Sequence, residues 1–244
     1  MASTPAKPDY GIDAPGVVRN LFLAAAIVFA IGIFLPSIRV GEITFITRPM
    51  TYTTAPGFAA GGILMLLYVK WGKFRHRDRM LSLIRWTGSE QVLDVGAGKG
   101  LLMIGAAKKL TTGKSVGIDI WSAKDLSGNR PENTLRNAEI EGVSEKVEVR
   151  SEDARKMTFP DATFDVVLSN LCIHNIPTRA GRDTACREIV RVLKPGGVAL
   201  ISDFIHLRNY AAACRQAGAT AERAGWFVLD TFPPMGILRI TKPH

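Results

Sequence analysis

Val92-Leu93-Asp94-Val95-Gly96-Ala97-Gly98-Lys99-Gly100 reads as a short apolar strand running into a glycine-rich turn, and Leu101 to Leu110 continues it as a helix. Glycines at such a turn permit a sharp reversal and close backbone approach, and the helix start offers free N–H groups to a polar ligand. A dinucleotide fingerprint needs a glycine three residues after its second one, where this chain has Leu101, so the spacing disfavours NAD. A P-loop is excluded because no Gly-Lys-Ser/Thr closes the turn.

Outward from this stretch, strand-like and helix-like segments alternate. Gln91 to Val95, Ser115 to Ile120, Val147 to Arg150, Phe164 to Ser169 and Val198 to Ser202 read as strands. Helical segments fall near Glu132 to Glu141, Arg182 to Leu193 and Tyr210 to Ala217. This rhythm predicts a doubly wound α/β sheet. Trp226 to Leu229 and Ile237 to Thr241 have no helix between them, so the last strands should pair antiparallel.

With these segments in order, the chain resembles the class I S-adenosylmethionine-dependent methyltransferases (type 11/25-like) from Gln91 to Asp203, and more weakly beyond. The resemblance implies a Rossmann-like seven-stranded sheet with an antiparallel last strand, and S-adenosylmethionine as cofactor. Gly96, Gly98 and Gly100 would pass close to the cofactor, with Asp94 near its amino-acid end. Gly117-Ile118-Asp119-Ile120 resembles the end of the family's second strand, so Asp119 would accept both ribose hydroxyls and Ile120 would help to hold ribose and adenine. Asp153 and Ala154 would read adenine, Asn170 at the end of the fourth strand would also contact the cofactor, and Leu193-Lys194-Pro195-Gly196-Gly197 resembles the turn into the fifth.

Ligands in such sheets gather at the carboxyl ends of strands, which points to Asn170, Leu171, Cys172, His174, Asn175, Asp203 and His206 for the acceptor. Asn170 and His174 are the catalytic candidates. If the acceptor is a hydroxyl, His174 is the first choice of base, since imidazole as a type titrates near neutral pH; packing or capping is its structural alternative. An amine or an enolate-like carbon needs no such base. Cys172 invites comparison with arsenite methyltransferases, but those use several site thiols. Cys186 and Cys214 lie elsewhere in the pattern, so a small buried hydrophobe is the better reading of Cys172. No histidine or cysteine spacing suggests a metal site.

The 244 residues carry a net charge of +9, and their apolar content is concentrated before Lys70. Residues 1–16, rich in Pro, Ala and Gly, read as a flexible tail. Within 17–70, Leu21 to Ile38 and Met50 to Val69 are uncharged and long enough to cross a membrane as helices. Gly57, Gly61 and Gly62 would let the two helices approach closely, and Tyr68 and Trp71 suit the interfacial belt. The alternatives are a signal peptide for the first run and a buried soluble hairpin for the pair.

The connecting loop Val40 to Pro49 holds few charges, whereas Lys70, Lys73, Arg75, Arg77 and Arg79 follow the second run. Positive-inside bias then predicts a two-helix membrane protein with the domain at 89–244 in the cytosol. Residues 71–88 read either as an amphipathic linker helix against the membrane or as the first helix of the domain. The basic run suits lipid headgroups better than nucleic acid, and no basic stripe with interleaved aromatics appears in the domain. The leading functional expectation is a membrane-anchored methyltransferase acting on a lipid, quinone or other amphiphile. The others are methylation of a membrane-associated protein and a non-catalytic S-adenosylmethionine-binding scaffold.

Overall fold

The structure is a computed structural model describing residues 6–244. Two long helices, α1 (Pro15–Phe34) and α2 (Arg48–Leu67), form an antiparallel hairpin. Each is long and apolar enough to cross a membrane by length and composition. The apposition depends on small residues: a Cβ on Gly62 would come within 2.8 Å of the Phe22 ring, and one on Gly32 within 2.2 Å of Thr51 Oγ1. Gly61 has only ordinary contact with Leu21, and Gly57 faces open space. The expected loop between the helices is instead a two-stranded antiparallel ribbon, β1 (Ser37–Val40) with β2 (Ile43–Ile46), exposed along its length.

After Leu67 the helix continues through a π-helical turn, Tyr68–Gly72, into α3 (Lys73–Ser82). Met80 and Leu81 are buried with Val92, Leu102, Ala106 and Leu168, and the His76 Nε2 meets Ser202 Oγ at 2.6 Å. Helix α3 is therefore the first helix of the domain; its apolar face is taken up by protein. Trp71 is exposed as an interfacial residue would be, but Tyr68 is buried, because the π turn directs it at the domain.

The domain sheet comprises β3 (Gln91–Val95), β4 (Lys114–Asp119), β5 (Val147–Ser151), β6 (Phe164–Asn170), β7 (Leu193–Asp203), β8 (Thr220–Phe227) and β9 (Met235–Thr241). Its order is β5-β4-β3-β6-β7-β9-β8, parallel except where β9 pairs antiparallel with β7 and β8. Lys194 to Gly197, expected as a turn, lie within β7, and β8 begins six residues before Trp226.

Alternate residues of the central strands face opposite helix layers, as the two-residue period of a strand requires. Val92, Val166, Leu168 and Leu200 face α3 and α4 (Leu101–Ala107). Leu93, Val95, Val167, Ala199 and Ile201 face α6 (Arg179–Val192) and α7 (Leu207–Gln216). Both faces being covered explains the near-continuous apolar runs of β3 and β6. The order of strand addition reverses between the parallel neighbours β3 and β6, opening a crevice at their carboxyl ends.

The expected tail departs most from the structure. Residues 1–5 lie outside the described residues; the segment that follows is fastened to the domain. Asn137 exchanges two side-chain hydrogen bonds with the Asp9 backbone, both at 2.9 Å. Tyr10 is buried, its ring edge-on to Phe74 and its hydroxyl on Glu141. Ser127 N donates to Ile12 O and Ala14 N to Asp125 O. Lys73 Nζ, itself buried, binds the Tyr10 and Gly11 carbonyls and the Asp13 carboxylate. Composition alone missed this strap because Tyr10 and the two acids, Asp9 and Asp13, find partners more than fifty residues away.

If α3 is a domain helix, Leu81→Ala should lower stability by about 2–4 kcal/mol, the usual cost of truncating a buried leucine. Arg75→Ala, on the exposed face, should stay within about 0.5 kcal/mol. Thermal unfolding of the detergent-solubilised chain checks this; equal effects would return the helix to linker status.

Candidate active site

The glycine turn is held from both sides. Gly96, Gly98 and Gly100 all have positive φ, the region where L side chains are strained. The Gly96 and Ala97 N–H groups donate to Ile118 O at 2.8 and 3.0 Å. A Cβ on Gly96 would lie 2.3 Å from Cys172 Sγ, so the turn passes directly under the loop after β6. Gly98 N donates to Asp119 Oδ2 at 2.8 Å, and Thr134 Oγ1 donates to Gly98 O at 2.6 Å. Gly100 starts α4 and packs towards Ile104 and Thr134; it does not reach the pocket wall. Its role is conformational, unlike that expected for it.

The pocket at the crevice collects Asp94, Gly96, Gly98, Asp119, Ile120, Asp153, Ala154 and Asn170, so the remaining expected cofactor residues converge. Asp94 is buried at the end of β3 and accepts the Met103 N–H at 2.9 Å. Burial pushes its carboxyl up to about 7, Met103 opposes this, and the Asp119 charge adds to it. Asp119 Oδ1 accepts from Trp121 N at 2.6 Å and Asn129 Nδ2 at 3.2 Å. Asp153 is clasped by the Arg155 guanidinium, whose hydrogen bonds hold the carboxyl below its ordinary range.

Sequence reasoning missed several members. Asn129 is buried in the pocket wall with an Oδ1 that has no partner among the described residues. Asn170 Oδ1 and the Tyr68 hydroxyl are likewise buried and unpartnered among the described residues. Tyr10, Asp13 and Lys73 bring strap and α3 into the same wall.

On the acceptor side, Leu171, Cys172, Asn175 and Ile176 line the pocket. His174 stands on the short 3-10 turn Ile173–Asn175 between two of them, outside the lining itself. Its Nδ1 lies 3.0 Å from an oxygen of Asp203, and its ring meets Phe204 edge-on. Asp203 is fully buried and also accepts from Phe204 N at 2.8 Å and the Tyr210 hydroxyl at 3.2 Å. A carboxylate so fixed orients the imidazole and leaves Nε2 as its free nitrogen. His206, by contrast, begins α7 in the left-handed region and is not part of the lining.

Cys172 is enclosed in the wall with Asp119, Asp94 and Asp203 around it, and burial followed by these charges pushes the thiol pKa well up. It is a neutral wall residue. Cys186 and Cys214 sit against each other in the core between α6 and α7, so no group of thiols assembles at the site.

The residues present fit S-adenosylmethionine. The carboxylates of Asp94 and Asp119 suit a cation and a diol, the unpartnered Asn129 and Asn170 oxygens await donors, and Ile120 presents an apolar surface 69% exposed at the rim. Residues 93–201 match the family model described as a methyltransferase domain. The ubiquinone/menaquinone biosynthesis C-methyltransferase UbiE of Hydrogenovibrio crunogenus is 35% identical over 114 residues, 46% of this chain and 41% of that protein. The sterol 24-C-methyltransferase of Eremothecium gossypii is 32% identical over 139 residues, 56% of this chain and 34% of that protein. The chain thus spans under half the length of these relatives. A SAM-dependent methyltransferase structure from Aquifex aeolicus shares the fold with a TM-score of 0.53 and 18% identity, covering 67% of this chain and 88% of that one. Residues 93–201 are thus similar to a methyltransferase domain and the fold is shared with SAM-dependent methyltransferases, which supports S-adenosylmethionine as the cofactor.

The raised Asp94 carboxyl has a signed consequence. Without ligand the folded state holds a proton that the unfolded chain has released above its ordinary pKa of 3.8. This contribution to stability is therefore greatest at acid pH and lost as pH rises through about 7. A cationic ligand prefers the ionised form, so cofactor affinity should rise as pH passes from about 6 to about 8. Calorimetric titration across that range should show the rise in the parent and a flat profile in Asp94→Asn.

Proposed function

We propose that this chain is a membrane-anchored enzyme that methylates a lipid-like small molecule, with its domain on the cytosolic side. The observation that carries this reading is the junction of hairpin and site. Helix α2 runs without a break through the buried Tyr68 into α3, whose Lys73 lines the pocket wall. Helix α1 starts directly from the strap that forms another part of that wall. Both hairpin arms therefore end at the site, and an acceptor dissolved in the bilayer meets it at high local concentration.

Further support comes from composition and from the relatives. The acceptor side offers Leu171, Ile176 and Pro177, an apolar lining suited to an amphiphile. The named relatives methylate quinones and sterols by their descriptions. Charge asymmetry across the second helix favours a cytosolic domain, although Lys73 and Arg79 are bound to Asp13 and Asp230. Lys70 and Arg75 remain exposed for headgroups.

S-adenosylmethionine supplies an already activated methyl group, so the chain's task is alignment, exclusion of water and acceptance of a proton. Asp119, Asp153, Ala154 and Ile120 would hold the nucleoside end, and Asp94, Gly96 and Gly98 the amino-acid end. Asn170 would orient the acceptor. Where methylation releases a proton from the acceptor, His174 Nε2 would take it, the imidazolium being stabilised by the buried Asp203.

The test uses the full chain in vesicles, with release of demethylated cofactor as readout. Lipid extract should stimulate release and a soluble-protein fraction should not. His174→Ala should lower turnover about 10²- to 10⁴-fold with cofactor affinity unchanged, as loss of a general base does. Asp119→Ala should instead weaken cofactor binding in calorimetric titration. Full turnover in His174→Ala would remove the histidine from the mechanism.

A further inference from the structure

We infer that the loop between β8 and β9, residues 228–234, is a second membrane contact, whose apolar tip enters the headgroup layer beside the point where α2 leaves the bilayer. The inference rests on the membrane reading of the hairpin and goes beyond it, since it assigns a lipid-binding surface to the domain itself.

The loop is firmly held from beneath. Asp230 pairs with Arg79 through Nη2 at 2.5 Å. The Phe227 ring lies under the Arg79 guanidinium, 4.1 Å from centroid to Cζ, and edge-on to His76. The buried Thr231 hydroxyl closes the turn on the Phe227 carbonyl. The Asp230 carbonyl also packs so tightly on Gly72 that a Cβ there would come within 2.3 Å of it. What this leaves outside is apolar: Trp226 is 47% exposed, Val228 55% and Leu229 99%. Inward-facing residues supply all the loop's order, so the outward apolar tip is not required by the fold of this chain.

The position of that tip follows from the helix. Gly72 lies five residues past Leu67, the last residue of α2, so at most about 7.5 Å of helical rise separates them. A headgroup layer is about 5–7 Å deep on each side of the hydrocarbon core. Asp230, touching Gly72, is therefore at headgroup depth, with Leu229 next to it.

The surrounding charge suits the same partner. Trp71 is exposed with the Lys70 ammonium over its ring, and Arg223 lies over Trp226. Arg75 is exposed one turn further along. Of the neighbouring acids, Asp230 is tied to Arg79 and Asp78 to Arg77, leaving Glu222 on β8 as the exposed exception. Two aromatic residues capped by cations beside a fully exposed leucine match an anionic bilayer interface, where tryptophan and basic side chains collect. Docking there would fix the domain against the membrane at two points, the helix and the loop, and so hold the crevice at a constant angle to its acceptor supply.

The experiment reconstitutes the full chain into vesicles of phosphatidylcholine and phosphatidylglycerol, with and without bromine atoms high on the acyl chains. Tryptophan emission is compared between the parent and Trp226→Phe, so that the difference reports Trp226 alone. The expected result is that brominated lipid removes most of the Trp226 component, and that Leu229→Asp restores it while the protein still floats with the vesicles. A Trp226 component indifferent to bromine in floating protein overturns the loop contact and leaves the hairpin reading intact. A contact between two copies through this loop would give that same unquenched signal. Failure of the parent to float overturns the hairpin reading, and the loop contact falls with it.

Discussion

The hydrogen bond from the Gly98 N–H to the Asp119 carboxylate is the constraint on which the site depends. It ties the turn after β3 to the end of the neighbouring strand β4, beside the place between β3 and β6 where the strand order switches. With Gly96 and Ala97 also bound to Ile118 O, the backbone can take only a left-handed path there, and three glycines make that path available. The same path brings the turn under Cys172, which fixes the loop after β6 and so the acceptor wall. One backbone arrangement therefore locates both halves of the pocket. A side chain on Gly96 would have to displace the loop that carries Asn170, Cys172 and His174.

Around this pocket the chain is closed by segments that belong, by sequence, to something else. The strap before α1 and the junction after α2 both end in the pocket wall, joined through Lys73 to Tyr10, Gly11 and Asp13. A buried ammonium with three oxygen partners is satisfied only while strap and junction stay together. Anything that moves the hairpin relative to the domain must break that cluster. Hairpin and site are mechanically one unit, so the hairpin takes part in shaping the site.

The sequence made the domain legible because local patterns and global fold agree there. Buried parallel strands leave continuous apolar runs, the glycine turn leaves its spacing, and Asp119 and Asp153 stand at strand ends where their order is readable. Asp94, Asp119, Ile120, Asp153, Ala154 and Asn170 accordingly meet in one pocket, while Gly100 serves only the turn. The strap was illegible for the opposite reason. Its partners Asn137, Glu141 and Ser127 are far away in sequence, and no local period records a contact of that kind. Asn129 was missed similarly: a lone amide in a loop carries no pattern until the fold sets its polar atoms against the pocket. For α3 the apolar face was readable, but which surface covered it was not.

The most direct test of the account follows an isotopically labelled methyl group from S-adenosylmethionine after incubation of the full chain, in its vesicles, with a membrane lipid extract. The account expects the label in an organic-soluble small molecule, with none when the Asp119→Ala chain replaces the parent. Label recovered in protein, or cofactor bound tightly with no label transferred to any fraction, would contradict it.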